Sequence, residues 1–178
     1  GTGKLTVNGG TYTAATLFAD CGSTQEGAEA TIEGGTFNGS FADTTGTVKI
    51  NGGKYSDDTG NAEAELPEGK VLVKNGDYYE LAEAVAYNST ADEYYTSLAD
   101  AIAAASDNDT IKLLDDVTTH FSTNKTIALD LGGKTLTVDA SEGVQSTGGT
   151  LTITNGTIKN ATGVIDIISA NGGNRSEE

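Results

Sequence analysis

Short apolar alternations separated by glycine turns organise this chain. The recurring unit is apolar, any residue, apolar, a Gly-containing turn, Thr or Lys, then a large apolar residue. It occurs as LTVNGGTY (5–12), ATIEGGTF (30–37), VKINGGKY (48–55), LDLGGKTL (129–136) and LTITNGTI (151–158). Successive starts lie 25 and 18 residues apart in the first group and 22 apart in the second. Period-two alternation over such short runs predicts β-strands. Self-similarity at roughly 20–25 residues predicts a solenoid. One coil cannot bury its apolar side alone, so coils must stack, with parallel strands pairing between them. Leu5, Val7, Ile32, Ile50, Leu129, Leu131, Leu151 and Ile153 are then expected to point inward, and Tyr12, Phe37 and Tyr55 to form an interior or corner stack. An antiparallel sandwich with Gly turns is the alternative, but its hairpins would not need one motif repeated in phase.

Between the two repeat groups the pattern changes. Residues 57–93 hold ten acidic residues and two lysines. Inside them, VLVKNGDYYEL (71–81) reads as a hairpin, with Asn75-Gly76 as a two-residue turn signal. Residues 84–87 and 93–96 read as a second strand pair. A solvated acidic loop is the plainer reading of this region. SLADAIAAAS (97–106) is the only helix that the pattern predicts. Ser97 stands at its N-cap, with Asp100 three residues on. Leu98, Ala101, Ile102 and Ala105 share one face. Ten residues are marginal as an isolated helix, so this stripe is expected to dock on the open end of the following solenoid. That solenoid starts at DNDTIKLLDDVT (107–118), with Ile111, Leu113 and Leu114 inward or at a corner, and its last coil falls at 164–168. Two domains are expected: 1–83, the last coils and closing hairpin of one solenoid, and 84–178, a connector, the capping helix (97–106) and the first coils of another.

Several ordered stretches resemble a known kind of sequence. YYTSLADAIAAASDNDTIKLLDDVT (94–118) is similar to the start of pectin-lyase-like β-helix repeats in large surface proteins of gut Firmicutes. IALDLGGKTLTV and LTITNGTIKN resemble the coils that follow, and INGGKYSDD with LPEGKVLVKNGDYYEL resembles a closing end. The resemblance implies a right-handed parallel β-helix, mainly β with one short capping α-helix. It also implies a secreted or cell-surface, adhesin-like protein with neighbouring repeats of the same kind. The closing end precedes the opening end here, so the chain is expected to span a junction.

Composition narrows the chemistry. Ten basic residues against 26 acidic ones give a net charge of −16. That leaves no basic footprint for nucleic acid. No apolar run approaches the ~18–20 residues that span a bilayer. Cys21 is alone, which excludes an intrachain disulfide. The chain has no Met and starts at Gly1. It is therefore expected to be a fragment or a processed product, with any signal or anchor elsewhere.

A polysaccharide lyase or hydrolase is the enzyme reading that such a fold invites. The only Arg is Arg175, in a polar tail, and the only His is His120, in an expected loop. Neither has a carboxylate partner evident nearby in sequence. Asn-Thr-Asp and Gly-His-Gly signatures are absent. Asp57-Asp58 and Asp115-Asp116 are adjacent, and strand neighbours point to opposite faces. No catalytic and no cofactor-binding residue is assigned. Calcium is the one candidate ion, with Asp107, Asp109, Asp115 and Asp116 as oxygen donors, although EF-hand and calcium-roll spacings are missing. Seven Asn-x-Ser/Thr sequons reflect high Asn and Thr content. Thr-x-Thr runs are interrupted by Lys and Asp in neighbouring coils, which argues against a flat ice-binding array. Tyr78, Tyr79, Tyr94 and Tyr95 read as packing, with sugar stacking as the alternative. The expected function is a non-catalytic structural and adhesive module that contacts a host surface or glycan. The alternative is a carbohydrate-binding or polysaccharide-degrading, calcium-assisted β-helix.

Overall fold

A computed structural model describes residues 3–17, 28–41, 46–140, 143–161, 163 and the backbone of 168–170. The chain is a mainly β protein whose coils stack in parallel as a β-solenoid. It divides into two compact units, Gly1–Glu83 and Ala84–Glu178.

The first unit contains β1 (Lys4–Val7), β2 (Thr11–Leu17), β3 (Glu29–Ile32), β4 (Thr36–Phe41), β5 (Thr47–Ile50), β6 (Lys54–Tyr55), a helical turn α1 (Gly60–Glu63), β7 (Lys70–Asn75) and β8 (Tyr78–Glu83). Three rungs stack as two parallel sheets, β1-β3-β5 and β2-β4-β6. Leu5, Ala30 and Val48 are in register, as are Val7, Ile32 and Ile50. This phase alignment brings the motif's aromatic position into one column. Tyr12, Phe37 and Tyr55 stack with centroids 5.0 and 5.2 Å apart and planes within 10°. Each outer tyrosine hydroxyl donates to a carbonyl of its own turn, Tyr12 to Gly9 and Tyr55 to Gly52, at 2.7 and 2.6 Å. Ile32, Ile50, Phe37 and Tyr55 are fully enclosed.

Leu5 departs from the expected burial. It is 52 % exposed, because β1 has a strand partner on one side only among the described residues. At the opposite end, the β7–β8 hairpin pairs antiparallel with β6 through Tyr55 and Tyr79, which ends the parallel ladder. Its turn is shifted by one residue from the sequence reading: Asn75 still pairs with Tyr78, and Gly76-Asp77 form the loop. Gly76 has φ +66°, suiting a two-residue loop with Gly at its first position. The helical turn α1 carries no apolar periodicity that would announce it. Gly60 sits there against Leu72, Ile50 and Phe41, where a side chain would collide.

Gly39, in β4, adopts φ +150°, and a Cβ there would lie 1.9 Å from the Ala14 carbonyl oxygen. Gly39→Ala is expected to destabilise the first unit by about 2 kcal/mol or more, since both backbone strain and a backbone clash oppose it. Chemical denaturation checks this; an unchanged midpoint would show that β2 and β4 are not packed as described.

The second unit contains β9 (Ala86–Asn88), β10 (Glu93–Tyr95), α2 (Leu98–Ala104), β11 (Thr110–Leu113), β12 (Val117–Thr118), β13 (Phe121–Thr123), β14 (Ile127–Asp130), β15 (Thr135–Val138), β16 (Val144–Ser146), β17 (Leu151–Thr154), β18 (Thr157–Asn160) and β19 (Ile168–Ala170). Each rung has three strands, giving the parallel ladders β11-β14-β17, β12-β15-β18 and β13-β16-β19. The third face was not expected from the sequence. FST and VQS carry one apolar residue each, Phe121 and Val144, and both point inward.

Register corrects the sequence alignment in this unit. Leu151 pairs with Ile127 and Ile153 with Leu129, so the rung-to-rung step is 24 residues here and not 22. Two extra residues between Ile127 and Leu136 are taken up in the Leu131-Gly132-Gly133 turn. Ile111, Leu113, Leu129, Leu131, Leu136, Val138 and Val144 form the enclosed core, while Leu114 is half-buried. Leu151, Ile153 and Ile158 pack on that core but stay half-buried.

The β9–β10 hairpin pairs antiparallel with β11 through β9 and closes the early edge of that sheet. The helix α2 lies against β9, β10, β11 and β13. The Ser97 side chain accepts from the Asp100 backbone N–H at 3.3 Å, as the capping signal requires. Leu98, Ala101, Ile102 and Ala105 are buried. The helix has no basic residue in its last turn, yet Lys125 reaches back to donate to the carbonyls of Ile102 and Ala103 at 3.3 and 2.6 Å. A cation there meets both the orphan carbonyls and the negative end of the helix dipole.

Candidate functional site

Strand corners are where a solenoid runs short of ladder hydrogen bonds, and the chain places carboxylates there. Asp107 Oδ1 accepts from the Thr126 N–H at 2.7 Å, and Asp116 Oδ1 accepts from the Thr135 N–H at 2.7 Å. Both bonds reach 19 residues ahead, from one rung to the next. Asp130 Oδ1 accepts from the Gly132 N–H at 2.9 Å within its own turn and from Asn155 Nδ2 at 3.1 Å in the following rung. Asp115 closes a smaller loop, accepting from the Asp116 N–H at 2.8 Å. In the first unit, Asp57 accepts from the hydroxyls of Ser40 and Thr59 and from the Thr59 N–H.

Among the described residues Asp109 is the one buried carboxylate, 7 % exposed. Its Oδ2 accepts from Asn88 Nδ2 at 2.7 Å and from the Ser106 N–H at 2.8 Å. Asn88 is itself buried, and its Oδ1 accepts from the Thr90 and Ala91 N–H groups. One pair therefore ties the capping hairpin, the end of α2 and the first rung together. Of the four sequence candidates for calcium, Asp107 and Asp109 flank the turn before β11, while Asp115 and Asp116 flank the next corner. Among the described residues no group of three or more His, Cys, Asp or Glu side chains is placed to hold a metal ion.

These contacts shift proton affinities in one direction. The Ser106 N–H, then Asn88, hold Asp109 below the ordinary carboxylate value. The Gly132 N–H, then Asn155, do the same for Asp130. Burial pushes Asp57 up, but the hydrogen bonds from Ser40 and Thr59 outweigh it and leave it lowered. Glu29 is lowered chiefly by its bond to Lys49, 2.7 Å away. A depressed folded-state pKa contributes stability that is complete above the unfolded value and is lost as pH falls through the folded one. The melting temperature is therefore expected to hold from neutrality to about pH 4 and to fall below it. Asp109→Asn should lower stability at pH 7 and flatten that acid slope. A melting temperature equal at pH 3 and pH 6 would contradict the assignment of these carboxylates.

His120 lies exposed between β12 and β13 and has a partner that linear sequence did not show. Its Nδ1 is 2.9 Å from Asp139 Oδ1, one rung further on. Arg175 and Cys21 lie outside the described residues. The tyrosines serve their own units: Tyr79 packs on the first core and Tyr95 on the second. Tyr87 and Tyr94 stack across the β9–β10 pair at 4.6 Å, with the Tyr87 hydroxyl donating to Asp92 at 2.8 Å. Among the described residues no helix is long and apolar enough to cross a membrane. The sequence reading weighed Asp57 only as half of an adjacent pair and missed Asp130 and Asp139. Asp57-x-Thr59 and Asp130-x-Gly132 do carry the local spacing of side-chain turns. The bonds between rungs have no local signal. No protein family, no curated protein and no solved structure matches this chain.

Proposed function

We propose that this chain is a structural and adhesive module of a secreted or cell-surface bacterial protein, of the pectin-lyase-like β-helix kind, working as a non-catalytic display or spacer element. The observation that carries the reading is the use made of the acidic side chains. Asp57, Asp107, Asp109, Asp116 and Asp130 are each bonded to backbone or side-chain donors that hold turns and rungs in place. A carboxylate so engaged has its oxygens committed to structural donors and is poorly placed to act on a substrate. The remaining negative charge favours solubility and gives the module a surface for a host or glycan partner. The test is incubation with acidic and neutral polysaccharides, with and without calcium, following unsaturated products and new reducing ends. The proposal expects no turnover. Calcium-dependent turnover abolished by changing Asp115 and Asp116 to Asn would overturn it.

One observation favours a second reading, a polysaccharide-acting β-helix: the His120–Asp139 pair on an exposed face. A histidine oriented by a carboxylate is the usual form of a general base. Turnover in the same assay that His120→Ala removes would establish this reading.

A further inference from the structure

Asn-Gly pairs occur at 8–9, 38–39, 51–52, 75–76, 155–156 and 171–172. Asparagine is chemically labile, and a glycine after it has no side chain to hinder its own nitrogen. That nitrogen can attack the asparagine amide only if it swings round onto Cγ. The backbone of the turn must therefore be free to rotate.

Packing withholds that freedom at three of the pairs. The Gly39 N–H donates to Ser56 Oγ at 2.9 Å, and Gly39 is wedged on the Ala14 carbonyl. Gly52 is wedged on the Glu33 carbonyl, and Gly156 on Leu131 and the Lys134 carbonyl. The Asn51 and Asn155 amides are also held, on Glu33 at 3.0 Å and on Asp130 at 3.1 Å. Gly9 belongs to the first described rung, where its surroundings depend on what precedes it. Residues 171–172 lie outside the described residues.

Asn75-Gly76 differs from these. Both residues are exposed at the tip of the β7–β8 hairpin, and a side chain on Gly76 would meet nothing within 4 Å. Among the described residues the Gly76 N–H makes no backbone hydrogen bond. The Asn75 amide donates from Nδ2 to Glu80 Oε1 at 3.4 Å, a long and weak bond.

We propose that Asn75 is a site of spontaneous covalent modification, where the Gly76 nitrogen and water exchange its side-chain amide for a carboxylate. The Gly76 nitrogen loses its proton to solvent and attacks Asn75 Cγ. The N–Cγ bond forms, the Cγ–Nδ2 bond breaks, and Nδ2 takes up a proton and leaves as ammonia. Water then opens the five-membered imide at either carbonyl, giving aspartate or isoaspartate. One water is consumed and one ammonia released, with no redox step. The product puts a negative charge beside Asp77 and removes the donor that Glu80 had. Isoaspartate also lengthens the main chain at the Asn75–Tyr78 pair, in the hairpin that ends the parallel ladder. The chemistry does not depend on the adhesive role of the chain.

Incubation of the folded chain in mildly alkaline buffer, then peptide mapping with electron-transfer fragmentation, tests this. Asn75 should convert first, to a mixture of aspartate and isoaspartate, with ammonia released in step. Asn38, Asn51 and Asn155 should convert at least about tenfold more slowly, because each must first open locally. In denaturant the four should convert at comparable rates, since the packing that separates them is gone. Asn75→Gln should remove the early ammonia and leave the other three sites unchanged. Conversion of Asn75 no faster than that of Asn51 and Asn155 in the folded chain overturns the proposal. So does the same ranking in denaturant, which would make flanking sequence and not the fold the cause. Should Asn75→Gln not fold, the wild-type maps in buffer and in denaturant decide the question.

Discussion

Phe37→Ala is expected to cost the first unit about 3–5 kcal/mol. Phe37 is 1 % exposed and stands between Tyr12 and Tyr55, stacked on both. Truncation removes a large buried side chain and leaves a void between two rings held by their own turn carbonyls. Those rings cannot close across the gap, because their hydroxyls are tied to Gly9 and Gly52. Aromatic contacts worth about 0.5–1.5 kcal/mol each are lost as well. Tyr12→Ala provides the contrast. Tyr12 is 41 % exposed and has one ring neighbour in the column, so its truncation should cost clearly less. Denaturant unfolding followed by far-UV circular dichroism separates the two; equal losses would mean that the column is not continuous.

Ile102→Asp should destabilise the second unit by about 3 kcal/mol or more, through a charge buried on the apolar docking stripe. Ile102 is 2 % exposed in the core that also holds Leu98, Ala101 and Ala105. Asp could escape only by lifting α2 off the rungs. That would expose this stripe and draw the Ile102 and Ala103 carbonyls away from Lys125. Ala104→Gln, on the exposed side of the same helix, should change stability by no more than about 0.5 kcal/mol. If Ile102→Asp and Ala104→Gln melt alike, the helix is not a docked cap.

The fold was legible where a residue's role repeats in phase. Leu5, Val7 and Tyr12 recur as Ala30, Ile32 and Phe37 and as Val48, Ile50 and Tyr55, and one pattern predicts strand, turn and column together. The helix was legible because Ser97, Asp100 and the 98/101/102/105 stripe agree. The third face of the second unit was not, because a three-residue strand such as Phe121–Thr123 has too few positions to show a period. The stretch from Ile127 to Leu136 also misled, since its single Gly132-Gly133 turn makes the motif match two residues late. The candidate site was the least legible part. Asp107, Asp109, Asp115 and Asp116 were visible as oxygen-rich sequence, but what each oxygen does depends on donors up to 21 residues away. His120 and Asp139 meet for the same reason: rung stacking brings together residues 19 apart.

The central claim is that the motif repeats are rungs stacked in parallel and in register. Nuclear Overhauser contacts between inward side chains test it most directly. Leu129 should show contacts to both Ile111 and Ile153, and Ile32 to both Val7 and Ile50, with Phe37 ring protons touching Tyr12 and Tyr55. An antiparallel arrangement would break these triplets and replace them with strong Hα–Hα contacts between β14 and β17, and that result would contradict the account.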